Sequence, residues 1–288
     1  MKYRRSTDNV DHHHIFGYGY PGCGKTKMAR DYYEALGEGL VVVSNEVGEA
    51  TFSNYGVDVP ILEPEDQNEL RAIISMTDVV FEKIIKEKMG YTFDKIHTIL
   101  FDNLRMSQLM IFGESEKKEA KIFDGEITMP KQEATGVMAL PNKRDFAGVP
   151  SNKDYRLLDM EMRKIVDKID RMPYHTIVTA HAEQDFAPTT KMTLTGDQYK
   201  DKEVTREFNG YPSLEGFALK ADLAGLVSDM FLYMYGDGNR YYFCPKPLKG
   251  FMARTRMAEV MPAQIDWTDK NMYEIIEEKR RQMREKAK

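Results

Sequence analysis

Hydrophobic residues in this chain follow two rhythms. Short continuous apolar runs suit strands buried on both faces of a parallel sheet. They occur at Ile15-Phe16-Gly17-Tyr18, Leu40-Val41-Val42-Val43-Ser44, Ile96-His97-Thr98-Ile99-Leu100-Phe101 and Tyr174-His175-Thr176-Ile177-Val178-Thr179-Ala180. Between them apolar positions recur at helical spacing. One helix is predicted from Thr26 to Leu36 and stopped by Gly37. A second covers Glu65 to Lys88 through Leu70, Ile73, Ile74, Val80, Phe81, Ile84 and Ile85, and Gly90 ends it. A third, capped by Asn152 or Asp154, carries a stripe of Leu157, Leu158, Met162, Ile165, Val166 and Ile169 before Pro173. This alternation predicts an α/β fold, with a central, mostly parallel sheet flanked by helices.

Later the rhythm changes. A helix led in by Pro212-Ser213-Leu214-Glu215-Gly216 runs to about Val227, and Asp229 to Tyr235 follows as a strand. Gly236-Asp237-Gly238-Asn239 signals a hairpin that returns antiparallel as Arg240 to Cys244. Ala253-Arg254-Thr255-Arg256 reads as a short strand, and residues 270–288 as an amphipathic helix ending in a strongly basic tail. Tyr55 to Asp66 reads as a loop punctuated by Pro60 and Pro64, in which a short strand fits Val57–Leu62. Two polar stretches break the pattern. Residues 105–152 read as an insertion rich in Gly and Pro, and 182–212 as a loop whose alternating Lys191-Met192-Thr193-Leu194-Thr195 suggests a hairpin arm. The chain is read as one domain over 1–275, with 276–288 as a basic helical tail.

Composition narrows the class. The 288 residues are 42% hydrophobic and 30% charged, enough apolar surface for a core. A net charge of −5 means that any nucleic-acid contact is local. Cys23 and Cys244 are the only cysteines, so no disulfide framework or cysteine zinc site is suggested. With no long apolar run and a polar start, the expectation is a cytoplasmic protein without a membrane partner. His12-His13-His14 is read as the entry to the first strand, because neighbouring strand residues face opposite ways and would not share an ion.

The chemistry concentrates where the first strand meets the first helix. Gly19-Tyr20-Pro21-Gly22-Cys23-Gly24-Lys25-Thr26 satisfies G-x-x-x-x-G-K-[ST], the phosphate-cradling loop. Gly22 and Gly24 free the backbone to turn its N–H groups toward phosphate oxygens. Lys25 would meet the β- and γ-phosphates and Thr26 would meet Mg²⁺. Asp102 tips an apolar strand, where phosphate-loop enzymes hold the Mg²⁺ water shell. Asn103 stands where a second acid is common, so the general base is sought elsewhere. Glu46, directly after the second strand, is the first candidate and Glu49 the reserve; a solvated loop acid is the bland reading of both. His181 suits sensing of the γ-phosphate, or a plain hydrogen bond. Arg254 and Arg256 are either solvated charges or arginine fingers reaching a neighbouring subunit.

The order of these features resembles the phage RecA-like P-loop ATPases of the single-strand annealing recombination group. It runs from the phosphate loop to the acid-tipped strand, the helix opening with Asp154-Tyr155 and the Val-Thr-Ala-His strand. Tyr-Pro-Ser-Leu-Glu-Gly, Val-Ser-Asp-Met-Phe-Leu-Tyr and the paired cations follow. The likeness covers about residues 12–275 apart from 105–152. It implies an ATP- and Mg²⁺-dependent hydrolase whose His181 strand separates the phosphate-loop strand from the Asp102 strand. It further implies rings or filaments, with single-stranded DNA held by loops after the Asp102 and His181 strands. In that picture Glu46 positions water, His181 couples nucleotide to DNA, and Arg254 with Arg256 act in trans. A single-strand binding or annealing protein is a further possible partner. Arg254 departs from the lysine frequent in relatives, and the loops lack a basic excess. Two other readings stay open: a nucleotide-switched loader or packaging module, and a small-molecule kinase.

Overall fold

The computed structural model describes residues 12–44, 50–54, 56–76, 78–91, 95–105, 152–184, 189–195, 198–204, 210–214, 223–227 and 229–286. Twelve strands are described, ten of them in one sheet. Along the main path they run β12 (Ile265–Asp266), β10 (Arg240–Cys244), β9 (Met230–Asp237), β1 (His14–Gly19), β5 (His175–Gln184), β4 (Thr98–Asp102), β2 (Leu40–Ser44) and β3 (Ile61–Leu62). From β9 across to β3 every pairing is parallel. The β9–β10 hairpin and β12 close the other edge antiparallel. β11 (Arg254–Thr255) pairs with β9, and β8 (Gly210–Pro212) with β5. A separate two-stranded arm joins β6 (Thr189–Thr195) to β7 (Gln198–Val204), as the alternation at 191–195 predicts.

Alternation along the strands divides the core between two faces. Ile15, Leu100, Ile177, Leu232 and Met234 face α1 (Lys25–Leu36), α2 (Ala50–Asn54) and α6 (Met272–Lys286). Phe16, Tyr18, Phe101, Val178 and Phe231 face α3 (Gln67–Ile73), α4 (Asp78–Met89) and α5 (Asn152–Ile169). The helix expected over 65–88 is therefore two. Asp66 caps α3 through the Asn68 and Glu69 N–H groups, and the chain turns at Ile74–Ser75 before α4 begins. Ser75, a weak helix former, stands at this turn, and its hydroxyl accepts from Lys168 Nζ at 2.8 Å.

The N-terminal edge of the sheet holds the histidines. His13 lies on the α1 side and His14 on the other, where its Nδ1 meets the Thr176 hydroxyl 2.8 Å away. His13 Nε2 lies 2.6 Å from the Glu277 carboxylate on α6, its Nδ1 meets the Tyr32 hydroxyl on α1, and its backbone N–H donates to His175 Nδ1. Arg280 of α6 donates to Asp229 and to the His12 carbonyl. The basic helix is thus pinned to the domain, with Met272 and Ile276 buried. Its start is fixed by buried Asp31 of α1, which accepts from the Met272 N–H at 2.8 Å and from Lys27. Among the described residues no cluster of His, Cys, Asp and Glu is arranged to hold a metal by itself, and no helix is long and apolar enough to cross a membrane.

Candidate functional site

The loop after β1 turns through Gly22 and Gly24, at φ of 77° and 92°, a region that side chains disfavour. Gly24 is the N-cap of α1. A Cβ on Gly24 would come within 3.0 Å of the Tyr241 ring and 3.1 Å of Trp267, and one on Gly19 within 2.2 Å of the Met234 carbonyl oxygen. The loop is therefore clamped from the β9–β10 side, where Gly236 also lies against the Gly22 carbonyl. Lys25 folds back over the loop, donating to the Gly19 and Tyr20 carbonyls at 3.1 and 3.2 Å. Among the described residues no carboxylate pairs with this ammonium, whose other neighbour is Cys23 Sγ at 3.9 Å. Burial pushes the Cys23 thiol up, against the pull of Lys25. Behind the loop Lys27 sits 4.3 Å over the Trp267 ring and bonds Asp31 and the Lys270 carbonyl. A cleft of about 940 Å³ opens there between α1 and residues 262–279.

β5 stands between β1 and β4, so Asp102 lies two strands from the phosphate loop. Leu100 pairs with Ile177 and Phe101 with Val178, which sets Asp102 beside Thr179 on the α1-facing side. The Thr179 hydroxyl donates to Asp102 Oδ1 and lies 3.4 Å from the Phe101 carbonyl oxygen. On the other flank Asp102 is level with buried Ser44. Asn103 does not substitute for a second acid: it is buried, and its Oδ1 accepts the Arg105 N–H at 2.7 Å.

His181 is level with Gly19, beside the root of the phosphate loop. It is not the tip of its strand, as its polar setting in the sequence suggests. β5 continues to Gln184 because β8 supplies an antiparallel partner for Ala182 to Gln184. The His181 carbonyl accepts the Ser213 N–H at 2.6 Å, and Arg105 reaches the Ser213 hydroxyl at 3.2 Å. Arg105 thus contributes from outside the quoted runs, while Thr179 and Ser213 stand within Val-Thr-Ala-His and Tyr-Pro-Ser-Leu-Glu-Gly, where the sequence assigns them no role. The signal for Thr179 was its position two residues before His181, which puts both on one strand face.

The arginine pair is elsewhere. Arg254 pairs with Phe231, which is level with Phe16, three residues before Gly19. Three residues of strand span about 10 Å, so Arg254 sits toward the opposite edge of the sheet. Its guanidinium donates to the Ala224 carbonyl at 2.9 Å. Arg256 is exposed, and its N–H bonds the Asp229 carbonyl. Neither is brought to the phosphate loop of its own chain. Glu46 and Glu49, and the 106–151 stretch, lie outside the described residues.

Thr26 and Asp102 supply one hydroxyl and one carboxylate. That donor set fits Mg²⁺, which uses one or two carboxylates and takes its other ligands from water and substrate phosphates. It does not fit a resident ion held by protein alone. No family model matches the chain, and no curated protein matches it.

Proposed function

We propose that this protein is a Mg²⁺-dependent ATPase of the RecA-like P-loop class. It works as a ring or filament on single-stranded DNA, in phage recombination or annealing, in the cytoplasm of the host. The observation that carries the reading is the joint geometry of the Gly19–Thr26 loop at the β1–α1 junction and Asp102 two strands away, with His181 between them. The N–H groups around Gly22 to Thr26, with Lys25, would bind the β- and γ-phosphates, and the nucleoside would extend toward the cleft at Lys27. Thr26 and Asp102 would hold Mg²⁺, whose charge offsets that developing on the phosphates. Glu46 would orient and deprotonate the water. Ser44, two residues before it in the chain, is level with Asp102. His181, backed by Ser213 and Arg105, would report the γ-phosphate to the loops beyond β4 and β5. Arg254 and Arg256, remote from their own loop, would serve a neighbour's, and a single-strand binding or annealing protein would be a fitting partner.

The test is nucleotide binding and turnover by Lys25→Ala, with and without single-stranded DNA. The expected result is loss of ATP binding and, in the unmutated protein, faster turnover on DNA with salt-dependent retention. Undiminished binding by Lys25→Ala would refute the site. Turnover and retention indifferent to DNA would refute the partner. One observation favours a second reading, a nucleotide-switched loader or packaging module. Asn103 is committed to the backbone, so the described residues bring a single acid to the site. Tight ATP binding with slow turnover that neither DNA nor Glu46→Gln changes would select it.

A further inference from the structure

We infer that Thr179 is the positioning residue for the metal-binding acid Asp102. Thr179 is fully buried on β5, the strand between the phosphate-loop strand and the acid strand. Its neighbours along the same face are Ile177 below it and His181 above it. On β1 the level position is Gly17, and a Cβ there would strike the side chains of Met28 and Met234, so that flank is apolar and closed. A valine would match its strand preference and suit a buried, apolar flank better. A hydroxyl is tolerated in a dry interior only when it is bonded, and its acceptor is Asp102 Oδ1. The Phe101 carbonyl, at 3.4 Å, is the longer alternative.

The bond has a direction that matters. Thr179 is β-branched and its backbone is held on both sides by β1 and β4, so the hydroxyl has few positions to choose from. Asp102 is the last residue of β4 and only half-buried. Left to itself its carboxylate would turn between rotamers. Tied at Oδ1, it offers Oδ2 to the Mg²⁺ water shell from a fixed place. Groups that orient a metal ligand from behind typically govern about 10–100-fold in metal affinity. The inference rests on the reading of Asp102 as the Mg²⁺ acid, and its test keeps the two apart.

Thr179→Val, Thr179→Ser, Thr179→Ala and Asp102→Asn are compared by titrating Mg²⁺ against binding of a fluorescent ATP analogue, and by binding of the same analogue in EDTA. For Thr179→Val the Mg²⁺ concentration at half-saturation should rise about tenfold, while binding in EDTA and the melting temperature stay near wild type. Thr179→Ser should remain within about twofold, because it keeps the donor. Thr179→Ala, smaller than valine, gives the same readout should the valine variant not fold. If Asp102→Asn shifts the Mg²⁺ titration and neither Thr179→Val nor Thr179→Ala does, the positioning role is refuted while the metal site stands. An equal loss with and without Mg²⁺ would make Thr179 a packing residue only, again overturning the inference. If Asp102→Asn leaves the titration unchanged, the Mg²⁺ reading itself falls and takes this one with it.

Discussion

Acid should loosen this protein from the end of the sheet remote from the phosphate loop, and His13 contributes a separable share of the effect. The ring is fully buried between α1, α6 and β5. Its Nδ1 faces the Tyr32 hydroxyl and its Nε2 faces Glu277, so the neutral tautomer with the proton on Nε2 satisfies both neighbours. Burial, the largest cause, lowers its pKa from 6.5 to about 4, against the pull of Glu277; Arg280 lowers it further, and Asp229 raises it slightly. His175, whose Nδ1 accepts the His13 N–H, is pushed down to about 2, chiefly by burial and further by electrostatic repulsion from His13, His12, His97 and Arg280 when they carry positive charge. An unfolded chain takes up the His13 proton below about pH 6.5, whereas the folded chain waits until about 4. Stability present above 6.5 is therefore lost as pH falls toward 4. At about 1.4 kcal/mol per pH unit, His13 alone accounts for about 3 kcal/mol over that window, about 2 of them between pH 7 and 5. Urea unfolding of wild type and His13→Gln at pH 7, 6 and 5 measures this. The glutamine variant, which does not titrate, should start less stable and show a flatter dependence, the two curves converging by about 2 kcal/mol at pH 5. Parallel curves would refute the buried neutral ring.

Three further outcomes follow from single contacts. Gly24→Ala places a Cβ 3.0 Å from Tyr241 at a φ of 92°; it should cost about 1–2 kcal/mol and lower ATP affinity at least about tenfold, and calorimetric affinity at wild-type level would contradict the clamp. Asp31→Ala removes the buried cap of α6 and the partner of Lys27; a loss of about 2 kcal/mol is expected, with Asp31→Asn recovering part, and hydrogen exchange at Met272 should speed up only in the alanine variant. Arg256→Ala mixed with Lys25→Ala should regain some hydrolysis if the arginines serve a neighbour's loop; mixtures no more active than either variant alone would remove that role.

What could be read from the chain, and what could not, divides along locality. The phosphate loop is eight consecutive residues, and nearly all of its geometry follows from them: two glycines at positive φ, a lysine, a helix that begins at once. The hydrophobic runs likewise announced β1, β2, β4, β5 and the β9–β10 hairpin, because burial on both faces leaves a continuous apolar signature. The break between α3 and α4 was hidden because the apolar stripe continues in phase across it, while the Ser75 hydroxyl is engaged by Lys168, 93 residues away in the chain. β8 was hidden for another reason. Gly-Tyr-Pro has no strand pattern of its own, and it pairs because Ala182 to Gln184 present an edge and because Gly210 fits under Phe251, where a Cβ would come within 2.2 Å of the ring.

That non-local pairing is also what reshapes the site. Once β8 extends β5, His181 stops being a free tip and becomes a fixed neighbour of Gly19, with its carbonyl committed to Ser213. Thr179 and Asp102 are far apart in the chain and appear in no shared motif. Parallel register alone makes them neighbours, since Phe101 opposite Val178 forces the next pair onto one face. A motif search finds the residues that touch a ligand because their spacing is constrained along the chain. The residues that aim them are constrained across the sheet, so only strand order and register reveal them. The same reasoning bears on the arginines. Arg254 is level with Phe16 and not with Gly19, and Arg256 follows it away from the loop, so register sets both arginines apart from the Gly19–Thr26 loop of their own chain.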